Sequence, residues 1–95
     1  MRLIKKSNVL QDAQKYPEDI YAAVEVWCRI VKQARWTSLD DIRKTYKRSV
    51  DQVSPYLVFN IKSYRLIVTF NFKAQIIYYK HFLTHQEYEK GDWKK

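Results

Sequence analysis

Four side chains in the last third of the chain have the types and spacing to act on a phosphodiester: Arg65, Lys80, His85 and Tyr88. RNA brings its own nucleophile, the 2′-hydroxyl. Cleavage requires that this group be oriented and deprotonated, that the phosphorane charge be stabilised, and that the leaving oxygen be protonated. Arginine offers phosphate a planar fork of donors. Histidine exchanges protons near neutral pH. Taken singly, each residue has a plainer reading: a surface ion pair for Arg65, edge protection for Lys80, helix capping for His85, and a packed aromatic for Tyr88. The set carries more weight than its members. Two histidines and one cysteine make no zinc pattern, and the single glycine excludes a Gly-rich phosphate loop, so neither metal nor cofactor is expected.

Thr84-His85-Gln86-Glu87 reads as a capping box, which makes His85 the first residue of a short helix and Gly91 its C-terminal stop. His85 and Tyr88 are three residues apart and therefore share a helical face. Open N–H groups of a first turn favour anions. The same positive end disfavours imidazolium and favours a neutral imidazole that can accept a proton.

The elements that position these groups follow from periodicity. After Pro55 the apolar period changes from about 3.6 to 2, giving strands at Tyr56–Ile61, Tyr64–Phe72 and Gln75–Leu83. Intervals this short require antiparallel hairpins. Two-residue loops at Lys62-Ser63 and Lys73-Ala74 place Asn60 opposite Arg65, and Lys80 opposite Ile67. Lys80 is then diagonal to Arg65 and within reach of it. In that register Leu57, Phe59, Ile61, Leu66, Val68, Ile77, Tyr79 and Leu83 face the helices, with His81 among them as a structural residue. Val58, Asn60, Arg65, Ile67, Lys80 and Phe82 face the opposite way. A slip of one residue would undo the grouping. Asn60, Lys62, Lys73 and Lys94 are the expected RNA contacts around the catalytic set. Trp93 and the tail Lys94-Lys95 either touch nucleic acid or fray.

The first half is helical. Arg2–Ile4 is a short opening strand, and Ser7 caps a helix to about Lys15. Pro17 starts a second helix, whose positions Ile20, Val24, Trp27, Cys28, Val31 and Ala34 form one apolar face to near Arg35. Ser38 with Asp41 opens a third helix lined by Leu39, Ile42 and Tyr46. Ser54-Pro55 closes the helical half. Trp27, Trp36 and Cys28 are expected to pack. The architecture is α+β, with helices on one face of a small curved antiparallel sheet.

Ninety-five residues predict one domain, 1–95, whose thin core is helped by a 16% aromatic content. No apolar run is long enough for a membrane span. No signal-peptide pattern is present, and a lone cysteine suits a reducing cytoplasm. The net charge of +8 is shared evenly: eleven Lys/Arg against seven Asp/Glu in residues 1–54, and seven against three in residues 55–95. Positive charge spread over a compact domain points to a polyanionic partner.

The chain resembles the HigB toxins of the RelE superfamily. The likeness runs from the MRLI start through Tyr16-Pro17, Ala34-Arg35-Trp36, Asp41-Ile42-Arg43 and Asp51-Gln52-Val53. It is strongest in Val58-Phe59-Asn60-Ile61, Tyr64-Arg65-Leu66-Ile67 and Leu83-Thr84-His85-Gln86-Glu87-Tyr88. The resemblance implies a RelE-like fold and a toxin of a type II toxin–antitoxin pair: an endoribonuclease (mRNA interferase) that cleaves translated mRNA in the ribosomal A site. It also implies a HigA-like helix-turn-helix antitoxin as partner. By motif position, Arg65 looks like the phosphate-stabilising arginine and His85 or Lys80 like the general base. Tyr88 looks like the residue that stacks on or orients the substrate. The sequence departs from the family pattern NIxGNxYRL, because Ile61-Lys62-Ser63-Tyr64 is two residues shorter and lacks glycine. The alternative function is a basic RNA- or ribosome-binding module without catalysis. A DNA-binding regulator fits less well, since no helix has a recognition-helix pattern.

Overall fold

A computed structural model describes residues 1–94; Lys95 lies outside the described residues. The described residues form four α-helices and a five-stranded open sheet. The strands are β1 (Arg2–Ile4), β2 (Val50–Val53), β3 (Tyr56–Ile61), β4 (Tyr64–Asn71) and β5 (Ile76–Thr84). The helices are α1 (Lys6–Ala13), α2 (Glu18–Gln33), α3 (Leu39–Tyr46) and α4 (His85–Lys90), with short 3-10 turns at Lys47–Ser49 and Asp92–Lys94. The order across the sheet is β1-β5-β4-β3-β2. The α+β class holds. The sheet is mixed rather than wholly antiparallel, because β1 runs parallel to β5 after the chain crosses through α1–α3 and the hairpins. No described helix is long and apolar enough to cross a membrane.

Helix boundaries follow local chemistry. Pro17 precedes α2 as its N-cap, where a missing N–H leaves nothing unpaired. Ser38 Oγ accepts from the Asp41 amide at the start of α3. The Asp41 carboxylate accepts from both the amide and the hydroxyl of Thr37. Those bonds, the hydroxyl's foremost, hold its carboxyl below the usual carboxylate range. The apolar face of α2 buries Ile20, Val24, Trp27, Cys28 and Val31. Phe59 lies at the centre of the main core, with the rings of Trp27, Trp36 and Tyr46 around it at 5.1–6.4 Å. Cys28 packs here too, and burial pushes its thiol up to about 11, so it is a core residue and not a nucleophile.

Two expectations about the first half are corrected. The chain between α3 and Pro55 is not purely helical: Val50–Val53 forms β2, pairs antiparallel with β3, and turns through Ser54-Pro55 directly into it. Four residues with two exposed in the middle are too short a signal for period counting. Helix α1 begins at Lys6, after Lys5 in a left-handed conformation, rather than being capped by Ser7.

The β3–β4 hairpin has the predicted register. Lys62-Ser63 is a two-residue turn and Asn60 pairs with Arg65. Lys62 takes the positive φ, 56°, that such a turn needs and that glycine usually supplies. Its Nζ forms an ion pair of 2.7 Å with Asp19 on α2.

The β4–β5 hairpin departs from regular pairing. Its turn is centred on Lys73-Ala74 as expected, with Gln75 N donating to Phe72 O. The ladder then shifts: Val68 pairs with Tyr79 but Ile67 pairs with His81, leaving Lys80 as the extra residue of a β-bulge. Unbroken alternation would have buried His81 and Leu83 and exposed Phe82. The bulge reverses this. Phe82 enters the main core, stacked on Tyr64 at 5.5 Å and edge-on to Tyr16, while His81 and Leu83 turn to the opposite face. Burying a phenylalanine contributes about 1.5–3 kcal/mol. Burying an unpaired imidazole costs free energy. That difference favours the bulge. Beside it, the Tyr79 hydroxyl donates to Asp12 at 2.6 Å and ties β5 to α1.

The sheet's other face is not open, as the sequence had suggested. Val58 and Ile67 are fully buried there beneath Trp93, with Tyr56, Leu83 and Tyr88 packed around them. The segment after β5 folds back across the sheet and builds this second, smaller core.

Candidate active site

The capping box forms as predicted. Thr84 Oγ1 accepts from the Glu87 amide, and Glu87 Oε1 accepts from the Thr84 amide. Gly91 ends α4 in the left-handed region, φ 75°. This fixes the direction in which α4 leaves β5 and brings His85 and Tyr88 over the end of β4.

There they meet Arg65. Arg65 Nη2 lies 3.3 Å from His85 Nδ1, and the Arg65 Cζ lies 5.8 Å from the centre of the Tyr88 ring. The guanidinium is held from below, since Nη1 donates to the carbonyls of Tyr64 (2.9 Å) and Lys62 (3.3 Å). An arginine has no acceptor, so His85 Nδ1 must be the acceptor and Nε2 carries the hydrogen. That Nε2 lies 3.3 Å from Glu89 Oε1. Arg65, His85 and Glu89 thus form one line of contacts. Glu89 was missed in the sequence reading. The signal for it was its position four residues after His85 on the same helical face.

Tyr88 is fixed from behind by Trp93. The two rings stack at 5.3 Å and 14°, and Trp93 Nε1 donates to Tyr88 O at 3.0 Å. Trp93 is 6% exposed and neither frays nor is free to meet nucleic acid; it is the keystone of the small core. Lys94 Nζ sits 5.5 Å above its ring.

Lys80 lies one residue further from this cluster than the expected diagonal: Arg65 pairs with Leu83, three residues and about 10 Å along β5 from Lys80. The bulge that places Phe82 in the core is the cause. His81, half-buried on the site side, has its imidazole held below the ordinary value, first by burial and then by the neighbouring Lys80 charge. Among the other expected RNA contacts, Asn60 lies beside Arg65 as its cross-strand partner. Lys62 is at the adjacent turn, engaged with Asp19. Lys73 is at the opposite end of the sheet. Among the described residues no group of three His, Cys, Asp or Glu is placed to hold a metal ion.

An open five-stranded sheet with helices on one face, and an Arg-His-Tyr cluster under a short terminal helix on the other, is a RelE-like α+β architecture. The model of the HigB toxin family, a RelE-like toxic component of a toxin–antitoxin system, matches residues 21–91, and the chain belongs to that family. Its partner is accordingly an antitoxin. No curated protein matches the chain.

Proposed function

We propose that this toxin is an endoribonuclease that cleaves translated mRNA at the Arg65–His85–Tyr88 cluster, by attack of the RNA's own 2′-hydroxyl. The observation that carries the reading is the Arg65 Nη2 to His85 Nδ1 contact, which puts a phosphate-matching cation within 3.3 Å of an imidazole nitrogen. Family membership supports it, since RelE-like toxins are typically endoribonucleases.

The chemistry follows from the contacts. When a scissile phosphate enters, it competes for Arg65 Nη2 and releases the Nδ1 lone pair. Nδ1 then takes the 2′-hydroxyl proton while the 2′-oxygen attacks phosphorus. Glu89 stabilises the imidazolium through the Nε2 hydrogen, as a carboxylate does in a catalytic triad. Arg65 neutralises the charge on the phosphorane oxygens. The bond to the 5′-oxygen breaks and that oxygen takes up a proton from water, while the imidazolium later returns its proton to solvent. The products carry a 2′,3′-cyclic phosphate and a 5′-hydroxyl. Tyr88 offers its ring to a flanking base, and Asn60 lies where it can contact the backbone. Lys80, three residues away along β5, fits a longer-range backbone contact better than the role of base. The ribosome supplies the substrate in the A site, the protein acts in the cytoplasm, and a HigA-like helix-turn-helix antitoxin restrains it.

The test is expression in growing cells. The parent chain is expected to arrest growth and leave cut transcripts. Arg65→Ala combined with His85→Ala is expected to abolish both while the protein remains folded. Toxicity equal to the parent's in that variant would overturn the site. Salt-dependent RNA binding that leaves RNA intact would favour a non-catalytic binding module.

A further inference from the structure

At the far end of the sheet from Arg65, the chain has a groove of about 1050 Å³ between the C-terminal end of α2, the start of β1 and the β4–β5 turn. Arg2, Lys32, Arg35 and Lys73 line it, and among the described residues no carboxylate does. All four cations are exposed, and none of them forms an ion pair among the described residues. The described ion pairs lie elsewhere, at Asp41, Asp19 and Glu89. Gln75 Nε2 donates to Trp36 O and to Phe72 O, which ties the turn to the segment that follows α2.

Four like charges converging on one concavity repel each other unless an anion joins them. The proposed catalytic cluster consumes none of the four, because Asn71, at the turn, is six residue steps of β4, about 20 Å, from Arg65. We propose that this groove is a second, non-catalytic binding site for a phosphodiester backbone. It would grip a polynucleotide one sheet-length away from the cluster where the strand is cut. The inference deepens the nuclease reading by assigning a second contact with the same class of substrate. RNA fits better than an acidic protein segment. Four exposed cations and, among the described residues, no carboxylate line the groove, and of its two large apolar side chains Met1 is buried and Phe72 half-buried, so it lacks the exposed apolar centre that protein interfaces need. The cleaved strand and folded ribosomal RNA share this chemistry, and the probes below tell them apart.

The experiment uses the full chain with Arg35→Gln and Lys73→Gln together, and a charge-preserving partner, Arg35→Lys with Lys73→Arg. Binding is read by fluorescence anisotropy across a salt series. The probes are a 2′-O-methylated single strand of about 20 nucleotides, an RNA duplex of similar length, and polyglutamate. Each lost phosphate contact removes about 0.7 from the single-strand salt slope. The neutralised variant is therefore expected to lose about 1.4 in slope, and about 25-fold in affinity at 0.1 M salt. The charge-preserving variant is expected to keep both. A larger loss on the duplex identifies folded RNA as the source, and a larger loss on the single strand identifies the message. Unchanged RNA binding in the neutralised variant overturns the proposal, as does a loss confined to polyglutamate. The two readings fail separately. RNA that binds through the groove but is never cut contradicts the nuclease and leaves the groove standing. Cutting that depends on Arg65, with groove variants binding as the parent does, contradicts only the groove.

Discussion

The two faces of the sheet are built to different standards. On one side α1–α3 cover a core centred on Phe59, and Trp27, Val31, Ile42 and Leu57 are all at most 1% exposed. On the other, one six-residue helix and a 3-10 turn cover a core whose buried members are Val58, Ile67 and Trp93. The large core specifies the fold. The small one specifies where α4 lies, and so where His85 and Tyr88 stand relative to Arg65. Stability and geometry are therefore controlled from separate sets of residues, and substitutions can break one without the other.

The largest effect is expected in the main core. Phe59→Ala removes the ring that Trp27, Trp36 and Tyr46 enclose. It should cost about 3–5 kcal/mol in chemical denaturation, enough to unfold a marginal domain. Trp93→Ala acts on the other face. It should cost less, about 2 kcal/mol, because the small core around the ring is covered by one six-residue helix and a 3-10 turn and can collapse. Yet it should abolish RNA cleavage, because Tyr88 loses the ring stacked behind it. Far-UV circular dichroism beside a cleavage assay checks the split. A Trp93→Ala protein that cuts normally would contradict the division of labour.

A smaller effect concerns pH. His81 is held below its ordinary value by burial and by Lys80. Its folded pKa is depressed, so the unfolded chain binds the proton more readily. The stability this neutral imidazole contributes is fully present above the unfolded pKa of about 6.5 and is lost as pH falls below it through the folded value. His81→Gln should flatten the denaturation midpoint between pH 7 and pH 5, and an unchanged slope would assign the dependence to another group. The smallest effect is at the turn. Lys62→Gly relieves a left-handed non-glycine residue, a strain of about 1 kcal/mol. It also gives up the exposed pair with Asp19. The net expectation is a slightly raised midpoint, and Lys62→Ala, which keeps the strain and loses the pair, should lower it.

Much of this arrangement was legible in the sequence because it is written locally. The Thr84-Glu87 capping box, the Lys62-Ser63 turn, the Asn60–Arg65 pairing and the apolar face of α2 each depend on residues within one turn or one hairpin. The bulge at Lys80 was not legible. It is decided by a competition between Phe82 and His81 for a place against Tyr16 and Tyr64, residues distant in the chain. That one extra residue set Lys80 one position further along β5 from Arg65. Trp93 was equally opaque, since its burial depends on Val58 and Ile67, which alternation assigns to an exposed face. Both misses come from long-range packing overriding a correct local period.

The most direct test is a ribosome-bound transcript carrying a single 2′-deoxy nucleotide at a mapped cleavage position. With the purified toxin, the all-ribose transcript should be cut there and bear a 2′,3′-cyclic phosphate, while the deoxy transcript should stay intact at that position. Arg65→Ala and His85→Ala should cut neither. Cleavage of the deoxy transcript at the same position, or full activity without Arg65 and His85, would contradict the account.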